Sequence, residues 1–228
     1  MRNRGPRAGW ALATSAIVWA TAGEAGETVT YSYDSLGRLV RVEHKGTVND
    51  GLGAAYSYDP ADNRTSVTVG GVPTVVGGGF EAPEVGAGYR YRPTDGPAGF
   101  AGNSGISGNG SPWGIAAAPE GDQVPFLQSY GTASTITLAA TGLSPGASYT
   151  VRFRIASRQG YGANPVTVAF GGVALGTFTP GSAAFTAVTS GAFTASAASG
   201  SLTFTGSASP SHLGTGLDFV TVAAAGSH

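Results

Sequence analysis

The sequence predicts an all-β protein, an antiparallel β-sandwich with a small N-terminal region of β-hairpins. Three observations carry that expectation. Short runs of alternating apolar and polar residues recur from Gln123 to Val222, with Gly, Pro and Ser clusters between them, which is the pattern of a sandwich or barrel. Near the N-terminus one short unit occurs twice, and each copy reads as strand, turn, strand. The composition completes the case: 38 glycines and only 11% charged residues leave a surface of Ser, Thr, Asn, Gln, Gly and Ala, whereas an average soluble domain carries about 25% charged residues.

Taken in order, residues 1–25 read as a secretory signal peptide. Arg2, Arg4 and Arg7 precede an apolar run from Ala8 to Ala22, and small residues follow at Ala20, Ala22, Gly23 and Ala25. The run is too short and too rich in alanine for a stable membrane span, although an uncleaved N-terminal anchor is the alternative. The expected location is therefore secreted, extracellular or at the cell surface. Absent cysteine excludes disulfides and thiolate metal sites. A formal net charge of −1 with one lysine offers no footprint for nucleic acid, which needs clustered Lys and Arg.

Residues 27–69 hold the repeat. Tyr31-Ser32-Tyr33-Asp34-Ser35-Leu36-Gly37-Arg38-Leu39 is echoed 25 residues later by Tyr56-Ser57-Tyr58-Asp59-Pro60-Ala61-Asp62-Asn63-Arg64. Alternating aromatics lead into turn chemistry, and an alternating apolar strand follows. The Tyr-x-Tyr-Asp-x-x-Gly-Arg-Leu pattern resembles the YD repeat of the RHS family, secreted proteins whose many repeats wind into a β-sheet shell. Two copies are too few to enclose anything, so the expectation is a pair of hairpins forming a small sheet. Residues 70–78, rich in Gly, Val and Pro, read as a linker.

The sandwich is expected over residues 79–223, with a short tail at 224–228. It opens with Gly79-Phe80-Glu81-Ala82-Pro83, and Glu84 to Pro119 then reads as a long loop section with few strand signals. Strands follow at Val124–Gln128, Thr135–Leu138 and Tyr149–Ala156, then in a regular series to Leu217–Val222. In Tyr149–Ala156 the residues Tyr149, Val151, Phe153 and Ile155 share one face and Arg152 and Arg154 the other.

The opening Gly-Phe-Glu-x-Pro resembles that of the galactose-binding-domain-like jelly rolls of secreted bacterial proteins. The later segments Ala118–Gln123, Tyr149–Phe153, Arg158–Gly162 and Leu217–Val222 follow the same family's order. The resemblance implies a jelly-roll carbohydrate-binding module and, in many members, a structural calcium between the start and end of the domain. Glu81 and Asp218 are the oxygen donors it suggests for that metal. Asp218 has a second reading, as a hydrogen-bond acceptor at a strand end.

A neutral sugar gives no ionic anchor, so its site needs flat rings for the pyranose face and amides, carboxylates or Arg for the hydroxyls. Tyr89, Tyr91, Trp113 and Tyr161, with Tyr130, supply rings; Asn109, Glu120, Asp122, Gln128 and Arg158 supply polar groups. Trp113 reads equally as a core plug, and Arg158 as an ion-pair partner of Glu120 or Asp122. Catalysis has little support. The scattered histidines lack metal-ligand spacing, and Gly142-Leu143-Ser144-Pro145-Gly146 fits the nucleophile-elbow pattern without its strand-to-helix context. The expected partner is a glycan. The rival reading is a structural or adhesive surface protein that self-associates through open strand edges.

Overall fold

The computed structural model describes residues 27–46 and 52–225, and every regular element in it is a β-strand. The expected leader therefore lies outside the described residues. No helix among the described residues is long and apolar enough to cross a membrane.

The N-terminal region is a four-stranded meander of β1 (Glu27–Tyr33), β2 (Leu39–Gly46), β3 (Leu52–Tyr58) and β4 (Arg64–Gly71), paired in that order. Its two outer hairpins are built alike. Asp34 Oδ1 accepts the N–H groups of Leu36 and Arg38 at 2.9 Å, and Asp59 Oδ1 accepts those of Ala61 and Asn63 at 2.9 Å. Each carboxylate thus ties its own turn together, as short Asx side chains do. Both hairpins also carry a register shift just before the aspartate. Arg38 joins the copies: Nε holds Asp34 at 2.7 Å, Nη1 holds Asp62 of the other turn at 2.6 Å, and the guanidinium lies 4.8 Å from the Tyr58 ring centre.

The remaining strands form two packed antiparallel sheets. They are β5 (Thr74–Val76), β6 (Tyr89–Tyr91), β7 (Gly99–Ala101), β8 (Ser104–Gly108), β9 (Gln123–Gln128), β10 (Thr135–Thr141), β11 (Ser148–Ser157), β12 (Val166–Phe170), β13 (Val173–Phe178), β14 (Thr186–Thr189), β15 (Phe193–Thr194), β16 (Gly200–Gly206) and β17 (Gly214–Ala224). One sheet runs β13-β12-β16-β10-β5, with β7 also on β10; the other runs β14-β11-β17-β9-β8-β6, with β15 also on β11. From β10 to β17 the chain crosses repeatedly between the sheets: β10 lies in the first, β11 in the second, β12 and β13 in the first, β14 and β15 in the second, β16 in the first and β17 in the second, the connectivity of a jelly roll.

Between the sheets lies the core, and the alternation read in β11 is what fills it. Tyr149, Val151, Phe153 and Ile155 are all buried there, with Phe153 edge-on to Phe204 of β16 at 5.3 Å. Two expectations need correction. Residues 70–78 are not simply a linker: β4 runs to Gly71, and Thr74–Val76 pairs with Thr141, Ala140 and Ala139 of β10. The section from Glu84 to Pro119 is not a bare loop either, because β6, β7 and β8 lie in it. Their sequences, Tyr-Arg-Tyr, Gly-Phe-Ala and Ser-Gly-Ile-Ser-Gly, are too short or too rich in Gly and Ser to signal strands. Pairing with β9 and β10 imposes the conformation instead.

Register shifts between Arg152 and Arg154 of β11, opposite β17, where Arg152 faces Thr221 and Arg154 faces Asp218. The extra residue in β17 lets Leu217 and Val220 both reach the core, turns Phe219 outward at φ 52°, and leaves Asp218 fully buried.

Candidate functional site

Leu127 points into the core, so by alternation Phe126 and Gln128 face the outside of the seven-stranded sheet. Phe126 is nonetheless fully buried, because Trp113 lies flat against it with ring centres 4.1 Å apart. Gly105 on the neighbouring strand makes this possible: a Cβ there would lie 2.7 Å from Phe126 Cζ and 2.3 Å from the Arg90 carbonyl oxygen. Trp113 is held by a short turn. Its N–H donates to Ser111 Oγ at 3.2 Å, and Ser111 Oγ meets Ser107 Oγ at 2.7 Å. Its own Nε1 is buried without a hydrogen-bond partner.

Trp113 is therefore a cover for the sheet, not a stacking platform for ligand. At 2% exposure it has no free face: Phe126 occupies one, and the Arg158 guanidinium lies 4.5 Å from the ring centre.

Arg158 does not pair with Glu120 or Asp122. Its Nε donates to the Trp113 carbonyl oxygen at 2.5 Å, and Tyr161 covers it with the ring centre at 3.9 Å. Geometry along β9 explains the separation. Glu120 and Asp122 precede Gln123 at one end of that strand; Arg158 donates its N–H to the carbonyl of Gly214, which faces Gln128 at the other end. Five residues of strand span about 17 Å.

The predicted site residues thus divide into two groups. The first lies on the outer face of β9 toward its Gln128 end, with Tyr89 reaching back along β6 to the level of Val124. Tyr91 is edge-on to Phe126 at 5.0 Å and to Tyr89 at 5.9 Å, and its hydroxyl donates to Gln128 Oε1. Gln128 Nε2 then meets His212 Nδ1 at 3.2 Å. His212 stacks on Tyr130 with ring centres 4.0 Å apart. Tyr89, Tyr91, Tyr130 and Tyr161 are all exposed, between 38% and 57%. The loops are locked side by side: Ser129 N–H donates to Leu213, Gly214 N–H to Gly162, and Asn103 Nδ2 to the Tyr130 carbonyl.

His212 was expected to be a scattered histidine, and no sequence signal joins it to Tyr130, 82 positions away. Only the pairing of β9 with β17 brings them together.

The second group gathers at the Gln123 end. Asn109 Oδ1 accepts the Ala118 N–H at 2.8 Å, so this side chain closes its own loop. With Glu81, Glu84 and Asp122 it lines an open hollow of about 500 Å³. Asp218 is buried nearby, accepting the N–H groups of Phe219 at 2.8 Å and Glu120 at 3.2 Å. Burial pushes its carboxyl up to about 7, and the charges of Glu120 and Glu81 add to that push against the two N–H groups. Oxygen donors of this kind suit a hard cation. As placed, however, Glu81 Oε2 is taken by the Asp122 N–H at 3.0 Å, and no three His or acidic side chains among the described residues form a metal-holding group. Asp218 is, as arranged here, a buried hydrogen-bond acceptor.

Ser144, the centre of the elbow-like motif, is in the turn between β10 and β11, and its N–H donates to the Tyr149 hydroxyl at 2.9 Å. No helix follows it, so the elbow geometry is not formed.

No protein-family model matches the chain, and no curated protein matches it. Solved structures do, among them the following at low identity. The C-terminal domain of EclA, a sugar-binding protein, is 19% identical with a TM-score of 0.35, over 38% of this chain and 64% of that one. A family 35 carbohydrate-binding module from Clostridium thermocellum is 14% identical with a TM-score of 0.41, over 67% and 98%. The carbohydrate-binding module CBM36, in complex with calcium and xylotriose, is 19% identical with a TM-score of 0.38, over 55% and 98%.

Proposed function

We propose that this chain is a secreted, non-catalytic carbohydrate-binding module whose ligand surface is the aromatic end of the seven-stranded sheet. The observation that carries the reading is the grouping of half-exposed rings with fixed polar groups at that end. Tyr89, Tyr91, Tyr130 and Tyr161 offer faces or edges, while Gln128, His212 and Arg158 are held by contacts on one side. Rings stack on the apolar face of a pyranose and the oriented donors meet its hydroxyls. No nucleophile and base come together there to suggest chemistry.

Tyr161 is the residue to remove, because it follows the end of β11 in a loop and is half exposed. On a glycan array the purified chain is expected to bind a defined set of glycans, and Tyr161→Ala to weaken that binding about tenfold, the worth of one ring contact. Its melting temperature should be unchanged. A chain that binds no glycan at all removes the proposal.

Calcium between the start and end of the sandwich is a separate part of this reading. It requires Glu81 and Asp218 to turn their oxygens from backbone N–H groups toward the ion, which would supply the positive charge that this acidic corner lacks.

One observation favours a second reading, assembly through the N-terminal sheet. Strand β1 ends that sheet, and Tyr31, Tyr33, Leu36 and Val69 are exposed at 56–73% on it and its neighbours. Sedimentation of the purified chain distinguishes the outcomes: a monomer across the micromolar range rules assembly out.

A further inference from the structure

The contacts around Arg158 say more about the ligand than that it is a sugar. Two rings lie against the guanidinium, Trp113 at 4.5 Å and Tyr161 at 3.9 Å. Its Nε edge is used by the Trp113 carbonyl oxygen at 2.5 Å. What is left is the edge formed by Nη1 and Nη2, which has no hydrogen-bond partner among the described residues and is not buried. That edge is a rigid, planar pair of donors, and the acceptor that matches it is a planar pair of oxygens.

No acid of the protein competes for this edge. Beyond Asp95, which is paired with Arg90, the sandwich holds Glu81, Glu84, Glu120, Asp122 and Asp218; Glu81, Glu84 and Asp122 line the hollow at the Gln123 end of β9, and Glu120 meets Asp218 of β17 beside it. The chain as a whole is close to neutral, and along β9 these carboxylates gather at one end while Arg158 lies among the rings at the other. A guanidinium in contact with two rings and bonded to a carbonyl oxygen has also lost much of its side-chain freedom before any ligand arrives, so binding to it costs less entropy.

We propose that the glycan carries carboxylates, and that Arg158 receives one of them through its Nη1/Nη2 edge. The substrate class is a uronic-acid polysaccharide, in which one residue stacks on the open face of Tyr161 while a carboxylate of the same chain meets the arginine. This inference rests on the carbohydrate-binding reading and narrows it. Arg158 is then the residue that sets specificity, and Trp113 positions it.

The test uses isothermal titration of the purified chain with three soluble probes: de-esterified polygalacturonate, the same polymer methyl-esterified, and dextran sulfate. Polygalacturonate is expected to bind. Methyl esterification, which removes the charge and leaves the sugar, should weaken binding tenfold to a hundredfold, the worth of a charge-assisted pair. Because that change is made on the ligand, it does not depend on any variant folding. Arg158→Lys keeps the charge and loses the planar fork, and should lose about tenfold on polygalacturonate with the emission of Trp113 unchanged.

Equal binding of esterified and de-esterified polymer overturns the inference and leaves the carbohydrate-binding reading standing. Equal binding of dextran sulfate overturns it too, since plain charge attraction would then suffice. Binding of none of these polymers, together with a blank glycan array, removes both.

Discussion

Trp113→Ala is expected to destabilise the protein by about 3–5 kcal/mol, the usual cost of truncating a buried Trp. The ring does two things at once. It covers Phe126 on the outside of the sheet, and it forms one wall of the Arg158 clamp. Its loss opens a cavity over β9 and leaves Arg158 with a single ring against it. Thermal melting should show a drop of roughly 10 °C, given that 1 kcal/mol moves a chain of this size by about 2–4 °C. Glycan binding should fall with it, through misplacement of Arg158 and not through loss of a ligand contact. Trp113→Phe sharpens the prediction. It keeps a ring on Phe126 and removes the orphaned Nε1, an unsatisfied donor that costs about 1–3 kcal/mol where it stands, so it should lose less than half as much. Removal of residues 1–25 takes away Trp10 and Trp19, so emission then reports on Trp113 alone. A Trp113→Ala variant as stable as the parent, with binding abolished, would show that the ring faces ligand after all.

The contrast between Trp113 and Tyr161 also marks where sequence reading stops. The strands that fill the core were legible because their chemistry is local: Tyr149, Val151, Phe153 and Ile155 alternate with polar or charged residues, and burial follows from period two. The turns of the N-terminal hairpins were legible for the same reason, since Asp34 and Asp59 bond residues two and four positions on. Which aromatic ring is covered is not a local property. Trp113 and Tyr161 are both followed by glycine in loops, and what separates them is a surface assembled from distant strands. At Gly214, on β17, a Cβ would lie 3.1 Å from Trp113 Cη2 and 2.9 Å from Arg158 Cβ, so a bare backbone at that point admits both side chains. Nothing near Trp113 in sequence announces that. The acidic and aromatic candidates likewise looked like one site because they interleave along the chain, whereas β9 holds them at opposite ends.

Stability is expected to fall as pH rises from about 4 to 7 in the presence of a chelator, and Asp218 is the cause. Its carboxyl ionises near 3.8 in the unfolded chain and near 7 in the fold. Between those values the native protein holds a proton that the unfolded chain releases, so raising pH favours unfolding by up to about 1.4 kcal/mol per unit. Below about 4 both states are protonated and the effect vanishes; above about 7 both are ionised and the loss is complete, on the order of 4 kcal/mol. Asp218→Asn removes the titrating group while an amide oxygen can still accept from Phe219 or Glu120. Denaturant unfolding at pH 5 and pH 8 should therefore show the parent clearly weaker at the higher pH and the Asn variant nearly level. Calcium decides what Asp218 is for. If the ion binds at this corner, 5 mM CaCl2, roughly the level that occupies a weak extracellular-type site, should restore the parent at pH 8 and leave Asp218→Asn unmoved. If calcium moves neither, the carboxyl serves the bulge of β17, where one oxygen takes the Phe219 N–H of the irregular strand and the other ties in the Glu120 N–H of the segment before β9. A parent whose stability is flat from pH 5 to pH 8 without calcium would mean that Asp218 is not buried among the other acids as described.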